Sequence, residues 1–138
     1  MATDDVGRLR TITRHLAAFE APGASFGDWA RPATDADGVI QVGWYQPSPM
    51  GEAFLRDARP WIVPFDWPAW AQSPAGERLL GHPEAVASAS AEELRKLLTV
   101  YVRSERFGDG TLENVFKSGM LTAIVRRAAI LAEEGVRD

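Results

Sequence analysis

Two arginines set three positions apart, Arg103 and Arg106, are the residues of this sequence best suited to bind a ligand. On a helix, side chains at this spacing project from one face, so both guanidinium groups point in the same direction. Guanidinium forks pair with phosphate or carboxylate oxygens, and the free amides of a following helix also attract anions. The spacing therefore predicts an anion-binding corner, in which Glu105 or Asp109 would act as the base if the site were catalytic.

A purely structural role is the alternative for the same arginines. Either guanidinium can form an ion pair with Glu105, with Asp109 or with the distant Asp66. Such a pair would lock the helix corner and leave no free guanidinium for a ligand. The two interpretations differ in whether the arginines and Asp66 point into a cleft or into one another.

Asp66, Trp67 and Trp70 form a second candidate binding surface. Two tryptophans at i and i+3 beside a carboxylate can stack on a base or on a peptide group. Large aromatic side chains that follow an extended segment also serve as anchors of a hydrophobic core. If this surface meets the arginine corner in space, the two form one shared cleft.

The strong sequence signals of enzyme catalysis are missing. The chain has no cysteine, which excludes thiolate nucleophiles and cysteine metal sites. Its two histidines, His15 and His82, are far apart and do not have the spacing of a metal-binding motif. A nucleophile elbow and a phosphate-binding glycine loop are also absent from the sequence. We therefore predict no catalytic residue, no metal and no cofactor, and we lean towards a protein that is not an enzyme.

The composition indicates an ordinary folded protein. Hydrophobic residues make up 46% of the 138 residues, which is enough for the core of a single domain over 1–138. The net charge of −4 has the wrong sign for a protein that coats DNA, so a nucleic-acid partner is not favoured. The acidic N-terminus and the lack of an apolar run of about 18 residues predict no signal peptide and no membrane span. The absence of cysteine fits a reducing compartment, so we expect a cytoplasmic protein.

The last third of the chain carries the clearest helical pattern. Ser90 and Glu93 have the spacing of a capping box, in which each side chain satisfies an amide of the other residue. The Gly-Asp-Gly turn ends this helix, and we prefer a second stop at Gly119, which gives three helices. Their apolar residues recur every three or four positions, as in helices that bury one face: Leu94, Leu97, Leu98, Tyr101, Val102, Leu112, Val115, Phe116, Leu121, Ile124, Val125, Ala128 and Leu131.

The first part of the chain predicts one helix followed by a long loop. Apolar residues at helical spacing favour a helix over 4–19. Its other side carries Arg8, Arg10, Arg14 and His15, which we expect to be a solvated face, with a nucleic-acid contact as the alternative. Residues 20–37 are rich in glycine, proline, alanine and aspartate and have no period, which is typical of a loop.

The middle of the chain predicts a small sheet and several short helices. Residues 39–45 and 61–65 are rich in β-branched and aromatic residues, and we expect them to pair as two strands. Because of Pro64, the second is expected to be an edge strand or an extended segment. Short helices are expected through 53–55, after Asp66, and near 74–80 and 83–88. The predicted fold is mainly α, with a minor two-stranded β element; an α+β fold is the alternative.

Two segments of the sequence resemble a known family. One is VPFDWPAW, which contains Pro64 to Trp67, and the other is YVRSERFGDGTLENVFKSGMLTAIVRRAAIL, whose RFGDG run is its most specific part. Both are similar to small bacterial and phage-associated proteins of unknown function. The similarity covers residues 38–133, so the resemblance implies a family-like core over 38–138 and brings no activity with it.

We expect a non-enzymatic interaction protein that recognises a protein partner, in a mobile-element or host-defence setting. The tryptophans and arginines support this expectation, because both residue types dominate interface hot spots. The alternative is a nucleotide- or phosphate-binding enzyme that uses Arg103 and Arg106 with an acidic residue. A weaker alternative is DNA binding, with the helices around the Gly-Asp-Gly turn acting as a helix-turn-helix.

Overall fold

The computed structural model describes residues 3–30, 38, 44–105 and 111–137. This part of the chain is mainly α-helical and contains a two-stranded antiparallel sheet, so the predicted fold class is confirmed. The elements in chain order are α1 (Thr3–Thr13), α2 (Leu16–Glu20), β1 (Gly27–Ala30), β2 (Trp44–Pro47), α3 (Pro49–Ala58), a 3-10 turn (Arg59–Trp61), α4 (Trp67–Ala71), α5 (Pro74–Leu79), α6 (Pro83–Val86), α7 (Ala91–Glu105), α8 (Thr111–Lys117) and α9 (Met120–Arg137). Within these ranges, no helix is both long and apolar enough to cross a bilayer.

Helix α9 holds the core together, because it packs along α1 and also contacts α2, α6, α7 and α8. The predicted apolar stripes of α7, α8 and α9 face inwards and meet the buried side of α1. Full burial of a side chain of this size contributes about 1.5–3 kcal/mol, so these stripes supply much of the stability. The side chains with no exposed surface include Leu9, Ile12, Leu94, Leu97, Leu98, Leu121, Ile124 and Val125.

The capping box predicted for α7 and the stop predicted at Gly119 are confirmed. The amide of Glu93 donates to Ser90 Oγ at 3.1 Å, and the amide of Ser90 donates to Glu93 Oε1 at 3.0 Å. Between α8 and α9, Gly119 has φ +87°, a left-handed conformation that glycine adopts without strain. The predicted Gly-Asp-Gly turn falls in residues 106–110, outside the described residues.

The prediction of one helix over 4–19 is wrong, because the structure has two helices. α1 ends at Thr13 and α2 begins at Leu16, with Arg14 and His15 between them. Arg14 Nη2 and His15 Nε2 each lie 2.6 Å from Asp57 Oδ2 on α3. Adjacent residues of a continuous helix point in different directions and cannot both reach one carboxylate, so the helix breaks here. His15 is also buried, not solvated.

The sheet does not pair the two segments that were predicted to pair. β1 lies inside the predicted 20–37 loop and pairs with β2, with Gly27 opposite Pro47 and Trp29 opposite Tyr45. Glycine is needed at position 27, because a Cβ there would overlap the Tyr45 side chain and the backbone carbonyl that follows it. Of the predicted strand at 39–45, Trp44 and Tyr45 are in β2, and residues 39–43 lie outside the described residues.

Residues 61–65, the other predicted strand, are held by α7 and not by the sheet. Arg95 Nε donates to the carbonyl of Trp61 at 2.8 Å, and the amide of Val63 donates to Thr99 Oγ1 at 3.4 Å. Arg95 and Thr99 therefore form hydrogen bonds with backbone groups that a partner strand would otherwise use, and Pro64 has no backbone N–H to donate. The segment therefore runs as a strap across α7.

The predicted short helices are confirmed as α3, α4, α5 and α6. Three of them begin with a polar side chain that accepts a hydrogen bond from an amide of the first turn. Ser48 Oγ accepts at 3.1 Å, Asp66 Oδ1 at 3.2 Å and Ser73 Oγ at 3.2 Å. Each cap is followed by a proline in the first turn of the helix. Proline is suited to this turn because the first backbone amides of a helix have no hydrogen-bond partner within the helix.

Candidate functional site

A cleft of about 450 Å³ lies where three parts of the fold meet. These parts are the end of α3 with the 3-10 turn, the last turn of α7, and the first turn of α8. The cleft is lined, among the described residues, by Leu55, Arg59, Ile62, Val102, Arg103, Glu105 and Leu112.

The floor of this cleft is aliphatic. Leu55, Ile62 and Val102 are half-buried, and Leu112 is buried, with 1% of its surface exposed. Val102 belongs to the stripe that α7 turns towards the core, so the floor continues the hydrophobic core outwards. A ligand with an aliphatic group can cover this surface and gain about 25 cal/mol for each Å² removed from water.

The rim of the cleft carries two guanidinium groups, those of Arg59 and Arg103. Arg59 is exposed and Arg103 is half-buried. Neither side chain forms a hydrogen bond or an ion pair with any of the residues that the structure describes. Because both side chains line one cleft, they can bind the same anion.

Glu105, the acidic residue of the cleft, holds the start of α8. Its Oε2 accepts a hydrogen bond from the amide of Leu112 at 2.9 Å. The first amides of a helix have no partner within the helix, so this carboxylate satisfies one of them. Glu105 therefore contributes to the shape of the cleft. The two guanidinium groups of Arg59 and Arg103 outnumber this one carboxylate, so the net charge of the rim is positive.

A hydrogen-bonded network ties α8 to the sheet. The hydroxyl of Tyr45 on β2 donates to Glu113 Oε2 at 3.0 Å, and Lys117 Nζ lies 3.6 Å from Glu113 Oε1. Burial and the Glu113 carboxylate raise the pKa of Tyr45 above its ordinary value of 10.0. Tyr45 thus remains protonated and acts as a donor that fixes the helix from which Leu112 reaches the cleft floor.

A second buried polar cluster joins the turn after α1 to α3. Asp57 Oδ2 accepts from Arg14 Nε at 3.0 Å as well as from Arg14 Nη2, and it lies within hydrogen-bond distance of His15. The His15 ring also packs edge-on against Phe54, with centroids 5.6 Å apart. The side chains of Arg14, His15 and Asp57 thus find their described hydrogen-bond partners within the protein. We call this cluster the structural lock.

The structure places the predicted aromatic surface away from the cleft. Asp66 caps α4, and none of Asp66, Trp67 and Trp70 is among the described residues that line the cleft. Trp70 packs against Phe65, with ring centroids 6.4 Å apart, and Lys96 Nζ lies 5.9 Å from the centre of the Phe65 ring. This corner is therefore a separate aromatic face on α4 and the strap.

Of the predicted arginine corner, Arg103 and Glu105 line the cleft, whereas Arg106 and Asp109 lie outside the described residues. Sequence reasoning missed Arg59, which lines the same cleft as Arg103. Its only local signal is its position at the end of α3, where basic residues interact favourably with the helix dipole. In the described ranges there is also no group of three His, Asp or Glu side chains able to hold a metal ion.

Fold and site together define a small, mainly helical protein with a positively charged cleft over an aliphatic floor. Residues 5–134 match the model of a family described as a family of unknown function (DUF6508), and the protein belongs to this family. The match includes most of α1 and all of α2 as well as the 38–133 region of the resemblance. No curated protein and no solved structure matches the chain.

Proposed function

We propose that this protein is a non-enzymatic recognition domain, and that its cleft binds an acidic segment of a partner protein. The observation that supports the proposal is the pair of guanidinium groups, Arg59 and Arg103, above an aliphatic floor and without a partner in the described part of the chain. A carboxylate of the partner would bind between the arginines, and an aliphatic side chain next to it would cover the floor.

The proposal agrees with what is known of protein interfaces. Arginine is enriched among the residues that dominate binding energy, and such residues lie beside well-packed apolar surface. Electrostatic complementarity also orients the approaching partner and increases the association rate. The resemblance to phage-associated proteins makes phage proteins and their host targets the first partners to test.

Glu105 in the cleft and Tyr45 in the neighbouring hydrogen-bonded network support a binding role over a catalytic one. Glu105 is engaged with the amide of Leu112, and Tyr45 keeps its proton because of its raised pKa. Neither is therefore poised as a general base, which requires a carboxylate or phenolate free to accept a proton from a substrate.

A small anionic ligand, such as a nucleotide, is the second candidate occupant. The volume of about 450 Å³ is within the usual range of small-molecule sites, and the two arginines suit a phosphate. However, the described lining includes no aromatic side chain on which a base would stack. The partner protein is therefore the preferred occupant.

A capture experiment with three variants tests the proposal. The wild-type protein, Arg59→Ala/Arg103→Ala and Arg10→Ala would each be immobilised and exposed to phage-infected host extract, and retained proteins would be identified by mass spectrometry. Arg10 is an exposed arginine on α1 and serves as the matched control. We expect a protein that the wild type and Arg10→Ala retain, that the double variant loses, and that an acidic peptide displaces.

Retention that is equal for all three variants would overturn the proposal. A thermal shift with nucleotides or inorganic phosphate that depends on Arg59 and Arg103 would instead favour the small-molecule alternative; saturation at 100 times the dissociation constant stabilises by about 2.7 kcal/mol. Salt-sensitive retention of duplex DNA would favour the DNA-binding alternative.

A further inference from the structure

We infer that the feature recognised by the cleft is a free protein C-terminus that ends in an aliphatic residue. In this arrangement the terminal carboxylate binds Arg59 and Arg103, and the side chain of the same residue covers the floor formed by Leu55, Ile62 and Val102. The inference rests on the proposed function and narrows it to one kind of partner segment.

The first argument is the closeness of the two kinds of surface. Arg59 and Arg103 line the same cleft of about 450 Å³ as Leu55, Ile62 and Val102, so the charged and the aliphatic side chains share one small site. A ligand must therefore present its anionic group and its aliphatic group close together. At a C-terminus, both groups are attached to the same Cα atom.

An internal acidic residue satisfies this geometry less well. Adjacent side chains of an extended segment point to opposite faces, so an aspartate and its aliphatic neighbour cannot both enter one cleft. The next side chain on the same face is two residues away, roughly 6–7 Å along the segment. Such a segment also has to leave the cleft at both ends.

The number of donors also suits a terminal carboxylate. A carboxylate accepts about four hydrogen bonds, and two guanidinium groups can supply them in bidentate pairs. Glu105 adds selectivity, because its charge lies at the same rim and disfavours a second carboxylate. The terminal residue is therefore expected to be aliphatic and not acidic.

Four short peptides test this inference directly. The probe is acetyl-Gly-Ser-Gly-Leu with a free carboxylate, and the first control is the same peptide as a C-terminal amide. The second control ends in Asp with a free carboxylate, and the third, acetyl-Gly-Glu-Ser-Leu-Gly-amide, carries an internal acidic residue. Binding would be followed by NMR, using the side-chain Nε–H signals of Arg59 and Arg103 and the amide signal of Leu112.

We expect the probe to shift these three signals and to saturate. The amide should bind at least about tenfold more weakly, because the charged hydrogen bonds to two guanidinium groups are lost. The peptide ending in Asp should also bind more weakly than the probe. Arg103→Gln and Arg59→Gln should each weaken the probe, whereas Arg10→Gln should not, and circular dichroism would establish that all three variants are folded.

Equal binding of the probe and its amide, or tighter binding of the internal acidic peptide, would overturn the inference. If only the internal peptide binds and its binding requires Arg103, the inference fails and the proposed function stands. If no peptide shifts the cleft signals and the double arginine variant still captures the same partners, both fail.

Discussion

The imidazole Nε2 of His15 lies 2.6 Å from Oδ2 of Asp57, and only 10% and 9% of the two side chains are exposed. The contact joins the turn between α1 and α2 to the end of α3, the helix that carries Leu55 to the cleft. Burial alone would raise the pKa of Asp57, but hydrogen bonds from Arg14 and His15 outweigh it and hold this pKa below its ordinary value. Asp57 is therefore a charged group that the fold requires.

Replacing Asp57 should destabilise the fold. In Asp57→Asn the charged hydrogen bonds to Arg14 and His15 are lost, and we expect a decrease of about 2–3 kcal/mol in the free energy of unfolding. Urea unfolding followed by circular dichroism would measure it. Glu84→Gln is the control, because among the described residues Glu84 makes only an exposed contact with His82 at 3.4 Å, and the substitution should change the stability by less than about 0.5 kcal/mol. Equal stability of the two variants would contradict the structural lock.

Acid should destabilise the fold by protonating Asp57 and Glu93. Burial acts to raise the pKa of Glu93, but hydrogen bonds from Ser90 and the charge of Arg78 lower it below its ordinary value of 4.5; the ordinary value for Asp57 is 3.8. A carboxyl group whose pKa is lower in the folded protein than in the unfolded chain stabilises the fold at pH values above its ordinary pKa. This stability is lost as the pH falls through the folded-state pKa, because the unfolded chain binds protons first.

We therefore expect the urea midpoint to fall as the pH is lowered from about 5 to about 3. Asp57→Asn should show a shallower fall, because it has one titrating carboxyl fewer. A midpoint that stays constant over this range in the wild type would contradict the lowered pKa values.

The two tyrosines of the chain should resist ionisation at high pH. Burial raises the pKa of Tyr101, and burial together with Glu113 raises the pKa of Tyr45, above the ordinary value of 10.0 in both cases. The ultraviolet absorbance of tyrosinate in the folded protein should thus stay low at pH values where free tyrosine is half ionised. Glu113→Gln should advance the titration of Tyr45. Ordinary titration of both tyrosines in the folded wild type would contradict the network.

Removing the cap of α7 should cost a measurable part of the stability. Ser90→Ala loses the hydrogen bond to the amide of Glu93, and we expect about 1 kcal/mol less stability. Ser88→Ala is a close control, because the exposed Ser88 hydroxyl donates to Ala85 O at 3.1 Å and caps no helix start. Its effect should stay within about 0.5 kcal/mol. An equal effect of the two substitutions would contradict the capping role.

Local sequence signals predicted the helices well, because their causes lie within a few residues. Ser90 and Glu93 are three positions apart, and Gly119 needs only its own freedom of φ to end α8. The break between α1 and α2 has a distant cause, since Asp57 is 42 positions from His15. No pattern within 4–19 indicates it.

The distance in sequence between interacting residues also explains why Arg103 was predicted at the site and Arg59 was missed. Arg103 stands out because of its spacing and the turn that follows it. Arg59 lines the same cleft only because α3, the 3-10 turn and the strap pack against α7 through Arg95 and Thr99. Contacts that depend on this packing have no counterpart in local periodicity, and so neither Arg59 nor the Tyr45 network was predicted.

Arg103 should matter for binding and not for folding, which separates the two interpretations of the arginine corner. Because its guanidinium has no partner among the described residues, Arg103→Gln should change the free energy of unfolding by less than about 0.5 kcal/mol. Arg95→Gln on the same helix is the matched comparison. It removes the hydrogen bond to the carbonyl of Trp61 and should decrease the stability by about 1–3 kcal/mol.

Both variants would be unfolded in urea, and both would be tested for retention of the partner that the wild type captures. We expect Arg103→Gln to remain stable and to lose the partner, because the cleft then has one guanidinium fewer to hold the partner's carboxylate. Arg95 lies beneath the strap and does not line the described cleft, so Arg95→Gln should lose stability and retain the partner. A destabilisation of Arg103→Gln as large as that of Arg95→Gln, with binding retained, would establish the ion-pair interpretation instead.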